Sequence, residues 1–104
     1  MTYRIEFHKR ARNEMRQIGQ SLADIAGPAS SRRIMAEIQQ VVDGLKVTPH
    51  KGSLRDSPLS GLRSVPASDK AVISFVVNDD NQTVKIYAVT YAGQDWMGRV
   101  RSRL

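Results

Sequence analysis

The hydrophobic period changes at His8, and that change constrains the fold more than any other feature of the chain. Tyr3, Ile5 and Phe7 alternate with polar residues, the period of a half-buried strand. Beyond it Ala11, Met15, Ile18, Leu22 and Ile25 step by four and three, laying one apolar stripe along a helix. Gly27-Pro28 ends that helix, because proline cannot continue it and restricts the residue before it. Ser30 or Ser31 is the expected cap of a second helix, in which Ile34, Ile38, Val41, Val42 and Leu45 repeat the spacing. Two amphipathic helices joined by a short turn form an antiparallel hairpin.

The period returns to two in the second half. Residues 46–61 carry two prolines, two glycines and three serines without periodicity, and read as a loop inside the domain. Leu62 to Pro66 is a short strand, and Ala71 to Val77 a β-branched one. Asn78-Asp79-Asp80-Asn81 is a hairpin turn. Val84 to Tyr91 is the longest strand, with Val84, Ile86 and Ala88 expected on one face and Tyr87, Val89 and Tyr91 on the other. Asp95 is placed to cap a last short helix carrying Trp96, Val100 and Leu104 on one side. The order β-α-α-β-β-β-α predicts an α+β domain over residues 1–104. Its helical hairpin packs on one face of a small, antiparallel-rich four-stranded sheet, and a short C-terminal helix follows. A last strand apolar on both faces then needs cover from that helix or from a partner.

The residue inventory excludes several chemistries. A chain of 104 residues without cysteine makes no disulfide, thiolate metal site or cysteine nucleophile. Two histidines, His8 and His50, offer no metal-ligand spacing, and no glycine-rich phosphate loop or GxSxG elbow is present. No metal or organic cofactor is expected. No apolar run approaches the roughly 20 residues that span a bilayer, and no signal peptide fits ahead of Tyr3, so no membrane partner is expected and the expected location is the cytoplasm.

Charge is the positive clue. Sixteen basic residues against ten acidic give +6, and eleven of the sixteen are arginine. Such a surface attracts polyanions or an acidic protein, although a similar charge also serves solubility alone. Lys9, Arg10, Arg12 and Arg16 decorate the first helix, where a solvated face explains them. Lys51, Arg55, Arg63 and Lys70 are candidates to converge on an open sheet face and grip phosphate. Arg99, Arg101 and Arg103 crowd the final turns with no acid after Asp95. There they either complement the helix dipole or touch a partner.

The ordered set of short motifs resembles a known family. The Tyr3–Phe7 strand, the basic entry His8-Lys9-Arg10-Ala11 and the helical hairpin look like the RelE/ParE toxins of bacterial type II toxin–antitoxin systems. So do Gly61-Leu62-Arg63-Ser64-Val65-Pro66, Ala71 to Val77, and Lys85 through Trp96. Within the superfamily, RelE-like members cut mRNA on the ribosome and ParE-like members poison DNA gyrase, so fold alone does not choose between them. The strand Lys70-Ala71-Val72-Ile73-Ser74-Phe75 and the tail Tyr91-Ala92-Gly93-Gln94-Asp95-Trp96 lack arginines that RelE-like nucleases tend to carry, and the tail is closer to the ParE-like branch.

The resemblance implies a toxin that arrests growth by binding gyrase, with Tyr91, Asp95, Trp96, Arg99, Arg101 and Arg103 as target-binding residues. The alternative it implies is a ribosome-dependent mRNA endonuclease, with Arg63, Lys70 and Tyr91 as its rudimentary catalytic set. The chain is an enzyme only on that second reading. Either way it implies a cognate acidic antitoxin in a toxin–antitoxin hetero-oligomer, held by Met15, Ile18, Leu22, Tyr87 and Val89. A third reading is a non-toxic basic RNA-binding or interaction module, which lacks the aromatic stacking motifs of common RNA-binding folds.

Overall fold

A computed structural model describes residues 2–104. Strand β1, Arg4–Phe7, leads into helix α1, Lys9–Ala26, and α2, Pro28–Gly44. Four strands follow: β2, Ser53–Leu54; β3, Leu62–Ala67; β4, Ala71–Asn78; and β5, Thr83–Tyr91. Helix α3, Trp96–Arg101, closes the chain. The class is the expected α+β, but the sheet has five strands in the order β1-β5-β4-β3-β2. The extra strand is β2, two exposed residues paired with Arg63 and Ser64 inside the segment read as loop. Two exposed residues carry no periodicity, so the sequence held no signal for it. β1 runs parallel to β5, and every other pair is antiparallel.

The helix boundaries follow local chemistry. His8 caps α1 by accepting the Arg10 N–H on Nδ1 at 3.1 Å. Gly27, with φ of 94°, separates the helices and is itself the N-cap of α2, with Pro28 in the first turn. The expected cap residue Ser31 instead donates its hydroxyl to the Gly19 carbonyl at 2.6 Å, stitching α2 to α1. Asp95 caps α3 as expected, accepting the Gly98 N–H at 3.1 Å.

The hairpin covers one sheet face. Ala11, Ile18, Ile38, Val42 and Leu45 pack there against Ile73, Phe75, Val84, Ile86 and Val89. Ile25, assigned to the stripe, is left 85% exposed near the C-terminal end of α1.

The faces of β5 differ from strict alternation. Ser74 pairs with Ala88 but Phe75 pairs with Ile86, so Tyr87 is an extra residue. This bulge inverts the alternation. Val84 and Ile86 face the hairpin before it, Val89 and Tyr91 after it, and Ala88 is turned to the opposite face. There Ala88 joins Leu62 and Val100 in a second cluster, flanked by Leu59, Val76, Tyr87 and Trp96. Ala92 and Gly93, both at positive φ, turn the chain so that α3 covers this second face. An apolar strand with two faces is thereby buried on both.

Candidate interaction site: the C-terminal helix and its carboxylate anchor

β1 pairs only with Thr83–Ile86, so the same edge of β5 has no strand partner beyond Ile86. Backbone groups on a buried edge need partners, and side chains supply them. The Val89 N–H donates to Glu14 Oε1 at 3.1 Å, and the Tyr91 N–H donates to Gln94 Oε1 at 3.0 Å. Arg103 Nη1 donates to the Tyr87 carbonyl at 2.8 Å.

Glu14 is the centre of this arrangement. It lies on α1 at 5% exposure, and Arg103 grips both its oxygens at 2.7 and 2.8 Å in a bidentate pair. Arg99 also donates to Oε2. Burial pushes the Glu14 carboxyl up, but the Arg103 guanidinium, the Val89 N–H and Arg99 outweigh it and hold it below the usual glutamate range. The Arg103 side chain is itself only 6% exposed.

The expected target-binding set therefore divides. Arg99 and Arg103 both pair with Glu14, Arg103 almost fully buried and Arg99 with about a third of its side chain, 34%, still exposed. Asp95 is spent on the cap. Tyr91 ends β5 on the hairpin side. Trp96 is half-buried in the second cluster, with the Arg55 guanidinium 5.8 Å from its ring centre. Arg101 alone of the three terminal arginines is exposed and free of an ion pair among the described residues. Beside it Met97 is 41% and Leu104 63% exposed. Sequence reasoning missed Glu14 and Met97, and it grouped Arg55 with Lys51, Arg63 and Lys70 where the structure sets it beside Trp96. A signal for Glu14 existed: it sits three residues after Ala11 and four before Ile18, an acid on the inward stripe of a chain whose tail has three arginines.

The expected antitoxin contacts divide too. Met15 and Leu22 are half-buried on α1 with Ile18 beneath them, whereas Tyr87 belongs to the opposite face. Val89 is completely buried in the hairpin-side core and presents no surface to any partner, because the bulge turned it inward.

The residues named for a nuclease do not converge. Lys70 and Tyr91 share one end of the sheet, where the Lys70 carbonyl accepts the Ala92 N–H and Ala71 pairs with Tyr91. Arg63 sits opposite Phe75, four residues back along β3 from Ala67. At about 3.3 Å per residue that is roughly 13 Å away. The sheet face on which Lys51, Arg55, Arg63 and Lys70 were to gather is not open, since α3 and the second cluster fill it.

A separate polar cluster joins the chain's start to the loop and the β4–β5 turn. The Tyr3 hydroxyl donates to Asp79 Oδ1 at 2.7 Å, and His50 Nε2 lies 3.0 Å from the same carboxylate. The Tyr3 hydroxyl and then His50 hold the Asp79 carboxyl down, and the same hydrogen bond raises the Tyr3 phenol. Among the described residues no three His, Cys, Asp or Glu side chains gather as metal ligands. No described helix is long and apolar enough to cross a membrane.

Comparison with known proteins agrees with this architecture. The family model described as the ParE toxin of the type II toxin–antitoxin system parDE matches residues 5–96. No curated protein sequence matches the chain. Among solved structures, the chromosomal ParDE toxin–antitoxin system of P. aeruginosa is similar with a TM-score of 0.72 at 16% identity, over 88% of this chain and 97% of that one. A mutant E. coli RelE toxin in the free state gives 0.67 at 16% identity, over 99% and 94%. The RelBE2 toxin–antitoxin complex of Mycobacterium tuberculosis gives 0.64 at 20% identity, over 88% and 100%. At these identities the structures speak to the fold.

Proposed function

Because the chain belongs to the ParE toxin family of type II toxin–antitoxin systems, we propose that it arrests growth by binding DNA gyrase through the outward face of α3 and is neutralised in the cytoplasm by an acidic antitoxin. The observation that carries this reading is the division of the tail arginines. Arg99 and Arg103 fasten α3 to the fold, and Arg101, Met97 and Leu104 are left facing solvent. A cation beside apolar side chains on a fixed helix is a binding surface, since complementary charge speeds encounter and the apolar groups supply contact area. Cleaving RNA needs groups gathered to activate the 2′-hydroxyl, stabilise the phosphate and protonate the leaving oxygen. The separation of Arg63 from Lys70 and Tyr91 favours the binding protein over the nuclease.

The test is the double variant Arg101→Glu with Met97→Ser. Both side chains are exposed, so the variant keeps its melting temperature and, on this reading, no longer arrests growth when induced. Undiminished arrest by the folded variant sets the reading aside.

A further inference from the structure

The junction of β1 and α1 gathers cations around one hydrogen-bond donor whose identity is fixed. The His8 ring accepts the Arg10 N–H on Nδ1 at 3.1 Å as the helix cap. An imidazole that accepts on Nδ1 carries its proton on Nε2, so the outer nitrogen is a donor. No group among the described residues accepts from that Nε2–H. The same ring stacks on Tyr87 of β5, with 6.3 Å between centres and 28° between planes. Lys85, two residues back on β5, holds its ammonium 5.0 Å from the Tyr87 ring centre. Arg103 reaches the same strand by donating to the Tyr87 carbonyl. We propose that His8, Arg10 and Lys85 form a binding site for the dianionic terminal phosphate of a small phosphate monoester.

Charge balance is the first argument. Arg10 and Lys85 are exposed and make no ion pair among the described residues. The nearby carboxylates are already engaged. Glu6, in register with Lys85 across the β1–β5 ladder, pairs with Arg4 at 3.2 Å, and Glu14 is held by Arg103 and Arg99. The excess positive potential is felt at the ring itself. Desolvation first, then Arg103, Lys85 and Arg10, lower the His8 imidazole's proton affinity, and only Glu14 opposes them. A place that disfavours one more proton favours an anion, and a dianion gains more there than a monoanion.

Geometry decides the class of anion. A planar carboxylate is matched best by a single guanidinium fork. Here the donors come from the β1–α1 junction, the first turn of α1 and β5, an arrangement suited to the several oxygens of a tetrahedral phosphate. A nucleic-acid strand is held by cations tracking its backbone together with aromatic faces on which bases stack. In this patch the two rings are engaged with each other and with Lys85. The inference stands apart from the gyrase reading and uses none of the outward residues of α3.

The experiment is an NMR titration of the full chain, made by cell-free synthesis, labelled with nitrogen-15 and kept in phosphate-free buffer. The probes are inorganic phosphate, thymidine monophosphate, acetate, and a short oligothymidylate without a terminal phosphate. Phosphate and the nucleotide are expected to shift the amides of Lys9 and Arg10 and the His8 Nε2 signal, and to move the His8 titration to higher pH. Equal affinity for these two supports a site for the phosphoryl group alone, and tighter binding of the nucleotide supports it with a nucleotide as the source. Acetate should bind roughly tenfold more weakly. His8→Asn keeps a good helix cap but removes the Nε2–H, and Lys85→Gln removes the exposed ammonium. Each should weaken phosphate roughly tenfold with the circular dichroism unchanged. No saturable shift at these residues, undiminished affinity in both folded variants, or acetate binding as tightly as phosphate overturns the proposal. Tighter binding of the oligothymidylate at the same residues also overturns it and assigns the patch to a nucleic-acid backbone. Because no cell is involved, failure here is separate from failure of growth arrest.

Discussion

Glu14 and Arg103 lie 89 residues apart in sequence and form a bidentate ion pair at 2.7 and 2.8 Å, almost wholly out of water. The pair joins the first helix to the last turn of the chain and completes the unpartnered edge of β5. It is the anchor that gives the C-terminal helix a fixed place.

Removing that carboxylate should therefore loosen the tail. Glu14→Gln leaves two guanidiniums facing a neutral group, and breaking a buried pair costs about 3–5 kcal/mol. The low end is expected, because Arg103 can swing into solvent with the last turn. The chain's one tryptophan, Trp96, opens α3 and is packed in the second cluster. Its emission should shift to the red at temperatures where the sheet is still folded by circular dichroism. An unshifted emission with unchanged melting would show that Glu14 does not hold the tail.

Acid should act through the same group. The folded-state Glu14 carboxyl is held below its ordinary value of 4.5, so its stabilisation is complete at neutral pH. It begins to be lost as pH falls below about 4.5 and disappears through the lower folded value. Asp79, also held low, acts in the same direction from a fully exposed site, where its share is small. Denaturant melts between pH 7 and pH 3 should show wild type losing more stability than Glu14→Gln. Parallel losses in the two proteins would assign the acid sensitivity elsewhere.

Most of the architecture was legible in residue periodicity. The turn from alternation at Tyr3, Ile5 and Phe7 to helical spacing at Ala11 located the first strand and helix. Gly27-Pro28 and Asp95 marked boundaries the structure keeps. The site was less legible for two physical reasons. A single inserted residue, Tyr87, inverts the strand's alternation, so Val89 and Tyr91 change faces and Val89 enters the core. Ion pairing between α1 and the tail is a long-range contact, and the residues around Arg99 and Arg103 carry no trace of Glu14. The proximity of three terminal arginines therefore read as one surface, although two of them are tied to Glu14.

If the chain acts by binding, Arg63→Ala and Lys70→Ala should leave growth arrest at the wild-type level. Arg63 makes no ion pair among the described residues, and Lys70 lies in an exposed turn, so neither change should lower stability by more than about 0.5 kcal/mol. Loss of arrest in either folded variant would revive the nuclease reading at that residue.

Association with an acidic antitoxin should be steered by the +6 charge. Raising ionic strength shortens the Debye length from about 10 Å at 0.1 M to 3 Å at 1 M. The association rate constant in stopped-flow should fall accordingly, with a smaller change in dissociation. A salt-independent association rate would contradict electrostatic steering.

The most direct test of the central claim is to induce this chain alone in a bacterium and follow DNA breaks and mRNA integrity together within minutes. A gyrase poison produces gyrase-dependent DNA breaks while messages stay intact, and that is the result expected. Rapid message cleavage with undamaged DNA would contradict it and make the protein a ribonuclease.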